Sequence, residues 1–572
     1  MKKRWIRGGI VAFVMLLMVM AGCMMSPVYY LNDDVTMRSI ISGAYTGTPD
    51  GHAVYMKYPL TWLLAGLYRV SAGIRLWIPW FDLFMAGCIL LAGIGILSNC
   101  LELAGKGPRG QKVLPVLTVL SGILVFMTLL LPQYLYMHYT IIAAILAGTA
   151  LFLWETGTER VLPLLLLGLC YLVRSQVFFL SIPFLLVVVL DGLLKSGRGE
   201  EFRRSVVSQG KTLLILFCVI AIFGTINRIG YGSEEWQTYG EYNDSRTALY
   251  DYTDFLSTDR YRELYTELGL SEEQFAILSH YDTLLDQSID ADLLEDTTRR
   301  IQELKGNEGT ATLIKQGMER YYLHLRYDGR PYSLIWMGCY ILLGLLLLIH
   351  KRWDRLLLLV TLAAGRSLIW IYLIVQGRFP ERIWVSLYLI EILLLLGMLL
   401  EECLRVRTVD RSGGKQGSTT AALLLTLMLL GVMLPGQLQE TCQRVKLQQD
   451  RQTEWALLTD SLAQEDDLYL IDVFSAVAYA GELYKADDDR LMMMGGWLTA
   501  SPLAKQRLEE YDAKDAAEAL KHPQVRLIAA ERQDITWLQQ YLEKRLGGSR
   551  LEVQQYVDCG ENAVFAVYQL ME

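Results

Sequence analysis

Long apolar runs separated by short polar connections make up most of the chain. A helix that crosses a membrane needs about 20 mostly apolar residues, because a bilayer core about 30 Å thick is crossed at ~1.5 Å per residue. The pattern therefore predicts a polytopic, mainly α-helical membrane bundle of about eleven spans. The predicted spans are residues 8–28, 80–101, 113–131, 136–154, 161–175, 177–194, 212–230, 333–350, 356–376, 383–400 and 419–436.

The positive charges of the connections indicate an orientation. Lys and Arg collect on the cytoplasmic side of membrane proteins, and four basic residues precede the first run. With a cytoplasmic N-terminus, every connection that an eleven-span scheme places inside is basic. The fifth and sixth runs are divided only at 174–176 and also fit one bent hairpin. A miscount of one span, however, would move the later basic connections to the outer side. The charges therefore favour an odd number of spans.

Two longer polar segments interrupt the predicted membrane domain 1–436, and both fall on the extracytoplasmic side. They are the first outer loop, 29–79, and an acidic insert, 231–332, whose pattern is mostly helical. Within the insert, Ser271 followed by Gln274 fits a capping box at a helix start. The insert is interpreted as a solvated helical segment, with a binding surface as the alternative.

The tail, 437–572, has the pattern of a small soluble domain. Residues 468–474 and 525–529 are typical of buried strands, and 551–557 and 563–570 alternate like the strands of a hairpin. Helical stretches lie between them, so the tail is predicted to be an extracytoplasmic α/β domain.

Composition agrees with this mixture and excludes several classes of protein. The chain of 572 residues is 53% hydrophobic and 20% charged, and its mean hydropathy of +0.28 is unlike that of a cytosolic enzyme. A net charge of −8 gives no support for a nucleic acid partner. No CxxC pair occurs among the nine cysteines. Cys442 and Cys559 could form a disulfide if the tail is extracytoplasmic.

An acidic pair, Asp33-Asp34, opens the first outer loop just beyond the first span. Adjacent carboxylates near an apolar boundary repel each other, so their surroundings must supply a metal, a cation or a proton. A divalent metal bound by Asp33 and Asp34 is one interpretation. A solvated helix cap that opens a helix at 35–43 is the other.

Basic side chains gather at the same edge of the predicted bundle, although arginine is disfavoured on the outer side. Arginine grips phosphate through paired hydrogen bonds. An acid beside several arginines therefore predicts a site for an anionic, phosphate-bearing lipid. For each arginine the alternative is a contact with lipid head groups or with a local carboxylate. The candidate substrate-binding residues are Arg378, Arg382, Arg174, His52, Lys57 and His138.

Two charges lie deeper in the predicted bundle. Arg366 in the ninth run and Glu391 in the tenth are interpreted as a buried structural pair, with a proton or ion pathway as the alternative. Other charges near the middle of spans are absent from the pattern, and no paired, interrupted spans repeat between two halves. These features argue against a transporter or flippase for a lipid-linked glycan.

The basic-flanked first span, the outer loop that opens with Asp33-Asp34, and the Gly/Pro-rich and amphipathic sequence through 58–80 resemble the GT-C superfamily of membrane glycosyltransferases. The resemblance implies an essential Asp or Glu in the first outer loop. It also implies a polyprenyl-phosphate-linked sugar donor, a glycan, lipid or protein acceptor, and transfer on the outer face of a bacterial plasma membrane during cell-envelope synthesis. Many members have a soluble outer domain after the last span.

On this resemblance, Asp34 or Asp33 would act as general base and the arginines would stabilise the leaving lipid phosphate. Arg378, Arg382 and Arg174 are the first choices, and His52, Lys57 and His138 are further contacts. A divalent metal is used by some members of the superfamily and not by others. The competing hypotheses are a lipid-linked glycan transporter and a non-catalytic membrane receptor or assembly protein. Convergence of Asp33 and Asp34 with Arg378 and Arg382 would favour the transferase.

Overall fold

The computed structural model describes residues 2–105, 113–157, 159–253, 255, 264–306, 310–409, 413–462, 467–488, 490–560 and 563–571. Its α-helices are α1 Lys2–Met24, α2 Asn32–Ser42, α3 Tyr58–Gly73, α4 Trp80–Gly105, α5 Val113–Val125, α6 Leu131–Leu135, α7 Tyr139–Thr156, α8 Val161–Val173, α9 Ser175–Lys195, α10 Glu200–Gly230, α11 Glu234–Thr247, α12 Glu272–His280, α13 Ala291–Lys305, α14 Thr310–Leu323, α15 Tyr332–Ile349, α16 Trp353–Val375, α17 Glu381–Val409, α18 Gly413–Ser461, α19 Val473–Ala476, α20 Pro502–Glu509, α21 Ala516–Ala519 and α22 Thr536–Arg545. The strands are β1 Val28–Tyr29, β2 Tyr136–Met137, β3 Leu468–Ile471, β4 Leu491–Met493, β5 Val525–Ala530, β6 Arg550–Asp558 and β7 Val564–Met571.

The helices form a multi-pass membrane bundle, as the apolar runs predicted. Nine helical segments of the described chain are long and apolar enough to cross a bilayer. Two shorter apolar helices, Gly8–Met24 and Val161–Val173, coincide with the first and fifth predicted runs. Each predicted run overlaps one of these segments. The fifth and sixth runs are separate helices, because Arg174 between them has an extended backbone (φ −154°, ψ 98°).

The helix α7 is the centre of the bundle, since every one of its residues is buried. It packs along α17, and two glycines allow the close approach. A Cβ at Gly148 would lie 3.0 Å from the carbonyl oxygen of Leu389, and one at Gly397 would lie 3.2 Å from the Cα of Phe152. Small residues commonly bring membrane helices together in this way. The predicted buried pair is confirmed beside this contact, where Arg366 Nε donates to Glu391 Oε2 at 3.0 Å.

A buried charged network joins the helices at the end of the bundle opposite the tail. Arg355 donates to Asp191 at 2.7 and 2.8 Å and also bonds Glu402. Lys195 lies 2.5 Å from Glu155 and 2.8 Å from Asp191. Because each charge has a partner of opposite sign, the network ties α7, α9, α16 and α17 together.

The tail contains a five-stranded sheet in the order β4-β3-β5-β7-β6. The first three strands are parallel, and β7 pairs antiparallel with both β5 and β6, so the predicted hairpin is present. The short strand β4 was missed by the sequence pattern. The helix α18 runs unbroken from the last apolar run into the tail. Cys442 and Cys559 are both free.

The insert 231–332 shares a hydrophobic core with the tail. Leu249, Ile277 and Leu285 of the insert cluster with buried residues of β3 and β5. The capping box of Ser271 and Gln274 is present at the start of α12. The first loop, the insert and the tail all meet on one side of the bundle, which we call the loop side. The insert, interpreted from the sequence as a solvated segment, is therefore packed against the tail.

Candidate active site

The acidic pair lies in the first turn of α2, and a short strand pairing fixes the position of that helix. β1 pairs with β2 in parallel, and Tyr30 N donates to the Met137 carbonyl at 2.8 Å. This register places the start of α2 beside His138 and the N-terminus of α7. The residue that precedes α2 is Leu31, and no side chain caps the helix. The carboxylates are therefore not the solvated cap that the sequence allowed.

Asp34 is fully buried, and only one of its two carboxylate oxygens has a hydrogen-bond partner. Its Oδ1 accepts a hydrogen bond of 2.9 Å from the backbone N–H of Tyr139, the first residue of α7. Its Oδ2 is buried and has no hydrogen-bond partner. Burial raises the pKa of Asp34 well above its usual range, and the neighbouring Asp33 raises it further against the opposing Tyr139 N–H and Arg382. A buried carboxyl with one unpaired oxygen and a raised pKa suits proton transfer.

His138 faces the unpaired oxygen of Asp34. Its Nδ1 accepts a hydrogen bond of 3.0 Å from the backbone N–H of Thr140. In the neutral ring the proton is therefore on Nε2. This Nε2 is fully buried, has no hydrogen-bond partner, and lies 4.0 Å from Asp34 Oδ2. A donor and an acceptor thus face each other at a separation that one bridging oxygen atom can join.

Asp33 connects the first loop to the tail. Its Oδ1 accepts a hydrogen bond of 3.1 Å from Trp497 Nε1, in the loop that follows β4. Burial raises the pKa of Asp33, while the positive charges of Arg382 and Arg174 oppose the shift. The two carboxylates therefore differ, since Asp33 is fixed by a tail residue and Asp34 keeps one oxygen available.

Two arginines surround the carboxylates without an ion-pair partner. Among the described residues, no carboxylate lies within 4.0 Å of the guanidinium of Arg174 or Arg382. Arg174 rests on two aromatic faces, 5.0 Å from the ring of Tyr55 and 5.2 Å from that of Tyr139. Cations held on aromatic rings and left without a carboxylate are available to an anionic ligand.

The turn between α16 and α17 lies beside an open cavity of about 650 Å³ on the loop side. Arg378, Arg382, Arg320 and His324 line it. Arg382 therefore links the cavity to Asp33 and Asp34. Arg378 differs, because its Nη1 lies 2.9 Å from Asp251. The expected convergence of acids and arginines holds for Arg382, whereas Arg378 contributes to the cavity from within an ion pair.

Lys57 and His52 lie farther along the first loop. Burial, and next the charge of Arg174, lower the pKa of Lys57, so this amine lies near the arginine. His52 is held by protein groups on both ring nitrogens: Nδ1 lies 2.6 Å from Asp50 and Nε2 lies 3.0 Å from the Gly230 carbonyl. It therefore supports the loop in this structure, and its substrate contact stays a prediction.

No group of three closely spaced ligand atoms in the described part of the chain includes Asp33 or Asp34. The group that occurs there is Glu155, Asp191 and Glu401, in the charged network at the opposite end, and Lys195 and Arg355 already neutralise it. Beside the acidic pair, His138 Nε2 lies 4.0 Å from Asp34 Oδ2, and in the tautomer set by Thr140 its proton leaves no lone pair for a metal. Metal dependence of Asp33 and Asp34 stays a prediction.

Sequence patterns missed several residues of the site, because these residues come from segments that are far along the chain from Asp33 and Asp34. Trp497 comes from the tail, and Arg246 and His324 come from the insert. Arg246 is buried and is hydrogen-bonded to Asn243 at 3.0 and 3.1 Å, and its positive charge reaches Asp33. Arginine is common in soluble segments, so no pattern marked it. Tyr55 could have been suspected, since it precedes the predicted Lys57.

Comparisons with known proteins concern the fold. No protein-family model matches the chain, and no curated protein matches it. Two solved structures of ArnT from Cupriavidus metallidurans resemble it. The apo structure has 11% identity and a TM-score of 0.38, covering 98% of each chain. The structure bound to undecaprenyl phosphate has 12% identity and a TM-score of 0.39, covering 99% of this chain and 98% of that one.

Proposed function

We propose that the protein is a membrane glycosyltransferase that moves a sugar from a polyprenyl-phosphate-linked donor to an acceptor hydroxyl on the loop side. The observation that carries the proposal is the buried Asp34, whose unpaired oxygen faces His138. Beside it lie two arginines, Arg174 and Arg382, that have no carboxylate partner among the described residues. The loop side would be the outer face of a bacterial plasma membrane, in keeping with the basic connections on the other side.

The arginines account for the class of donor. A lipid-linked sugar phosphate is anionic and is anchored at the membrane boundary, where Arg174 and Arg382 lie at the ends of predicted spans. Guanidinium groups bind phosphate oxygens in pairs. In our proposal Arg382 and Arg174 bind the donor phosphate, and the cavity beside Arg382 receives the rest of the head group, with Arg378 at its rim.

Asp34 would act as the general base. Its Oδ2 takes the proton of the acceptor hydroxyl, and the acceptor oxygen forms a bond to the anomeric carbon of the donor sugar. The bond between that carbon and the phosphate oxygen breaks, and both of its electrons leave with the polyprenyl phosphate. Arg382 and Arg174 stabilise the negative charge of the leaving group.

His138 would position the acceptor hydroxyl. An oxygen placed between the two residues can accept a hydrogen bond from His138 Nε2 while it donates to Asp34 Oδ2. Tyr139 stacks on His138 with ring centroids 4.7 Å apart, and Tyr55 stacks on Tyr139 at 6.2 Å. These rings shield the pair from bulk water, which would otherwise compete as a nucleophile.

The direct test is sugar transfer in membranes supplied with a radiolabelled polyprenyl-phosphate-linked sugar. Asp34→Asn and Asp33→Asn should abolish incorporation of label into acceptor material while expression stays intact. Asp512→Asn is the matched control, because Asp512 is an exposed tail residue with φ +51°, a conformation that Asn adopts readily. Full activity of both site variants would refute the enzymatic proposal, whatever the sugar used by the wild type.

A further inference from the structure

A second cavity lies on another face of α2 and takes no part in the proposed chemistry. It has a volume of about 350 Å³, within the range of small-molecule sites. Its walls are α2 from Asn32 to Ser39, the outer part of α18 around Trp455, and the loop 481–488, and its floor is the end of strands β3 and β4. The cavity thus lies where the tail docks on the helix that carries Asp34.

Two stacked aromatic rings form one wall. Trp455 and Tyr479 lie with ring centroids 4.8 Å apart and an interplanar angle of 28°. The hydroxyl of Tyr479 donates to Glu454 at 3.2 Å, which fixes the ring. Both aromatic side chains are half-buried. A rigid aromatic wall of this kind suits the apolar C–H face of a sugar ring, because aromatic faces pack against such surfaces without a charge.

The rim of the cavity carries charges that are already matched. Arg38 Nη2 lies 2.5 Å from Asp487 and its Nη1 lies 3.3 Å from Asp82. Lys485 lies 2.8 Å from Glu482, and Asp488 lies 2.7 Å from Arg490. These pairs leave no excess of positive charge to attract an anion, in contrast to Arg174 and Arg382 at the candidate active site. Their oxygen and nitrogen atoms remain able to hydrogen-bond hydroxyl groups. An apolar aromatic wall with a polar rim of paired charges fits an uncharged, hydroxyl-rich ligand.

The position of the cavity suggests which substrate it serves. Asn32 borders it and directly precedes Asp33, whose partner Trp497 belongs to the same tail loop as Gly495 and Leu498 of the cavity lining. We propose that the cavity binds a neutral saccharide of the acceptor and holds it beside the first turn of α2. This inference rests on the proposed function for its role, and on the cavity alone for its ligand class.

The test measures saccharide binding without catalysis. The full-length protein in lipid nanodiscs is titrated with N-acetylglucosamine, galactose, rhamnose and their disaccharides, and binding is detected by saturation-transfer difference NMR. Ala456→Trp fills the cavity from α18, where Ala456 is exposed and lines the wall. Leu457→Trp is the matched control, because Leu457 is 48% exposed and lies outside the lining. Trp455→Ala removes the aromatic wall.

At least one sugar should bind the wild type, Leu457→Trp and Asp34→Asn equally. Ala456→Trp and Trp455→Ala should weaken that sugar by about tenfold, which corresponds to ~1.4 kcal/mol. Failure of every sugar to bind the wild type, or unchanged binding to Ala456→Trp, would overturn the inference. If saccharide binding follows this pattern while Asp34→Asn keeps full transfer activity, the proposed function fails and the binding site stands.

Discussion

Asp34→Asn should stabilise the protein at neutral and alkaline pH while it removes activity. Asn keeps the hydrogen bond that Oδ1 accepts from Tyr139 N, and it replaces the unpaired Oδ2 with an amide that cannot ionise. Burial raises the pKa of the Asp34 carboxyl in the folded protein. The folded state therefore favours the neutral acid. The free energy of unfolding falls as the pH rises from about 4, where an unfolded aspartate ionises, to the raised pKa of the folded protein, and it is constant above that pKa.

The expected magnitude follows from the charge, because the buried amide of Asn is unpaired as well. An unpaired buried group costs about 1–3 kcal/mol and more when it is charged, and we take the gain on removing the charge to be of the same order. At about 2 °C per kcal/mol, the size dependence of thermal unfolding predicts a melting temperature roughly 2–6 °C higher for Asp34→Asn at pH 8. Below about pH 4, where Asp34 is protonated in both the folded and the unfolded wild type, the difference should vanish.

The assay is thermal unfolding of purified protein in detergent, followed by size-exclusion chromatography of the soluble fraction at several pH values from about 3.5 to 8. Asp512→Asn serves again as the exposed control and should match the wild type throughout. If Asp34→Asn melts below the wild type at pH 8, the carboxylate stabilises the fold. In that case the view of Asp34 as a buried carboxyl that destabilises the fold when ionised is wrong.

Three further outcomes are expected from the same geometry. Arg382→Ala should raise the apparent KM for the lipid-linked donor more than Arg378→Ala does, because Arg378 is paired with Asp251; equal effects would remove Arg382 from the phosphate contact. As the pH is lowered, the transfer rate should begin to fall at a pH well above the ordinary aspartate pKa of about 4, since the base must be ionised. A fall that begins only near pH 4 would assign the base to another group. Treatment with EDTA, followed by transfer assays with and without added Mg²⁺ or Mn²⁺, checks the metal interpretation of Asp33 and Asp34, and full activity in the chelator would exclude it.

Local features of the sequence predicted the bundle well, because span length and charge bias are properties of contiguous residues. The apolar runs, the Arg366–Glu391 pair and the tail hairpin all depend on spacing along the chain or on simple chemistry between neighbours. The pattern also selected the correct helix for the acidic pair. It did not predict β4, whose three residues are too few to show a period.

The missed parts of the site depend on which distant segments meet. Trp497 reaches Asp33 across 464 positions of the chain. The difference between Arg382 and Arg378 depends on Asp251, a residue of the insert, and no periodicity joins the two segments. His52 was selected by its loop position, and one of its two partners, the Gly230 carbonyl at the end of α10, comes from a distant segment; its substrate contact stays a prediction.

The common core of the insert and the tail has a consequence for biogenesis. With the loop side outside, as proposed above, residues 231–332 arrive there well before the tail, so Leu249, Ile277 and Leu285 must wait, exposed, until β3 and β5 have crossed. The waiting time is the synthesis of roughly 200 residues, from 332 to the end of β5 at Ala530, or about 10–40 s at 5–20 residues per second. Trp497, the tail residue bonded to Asp33, is also made late, so the candidate active site is completed only after the arginines proposed to bind the donor are in place.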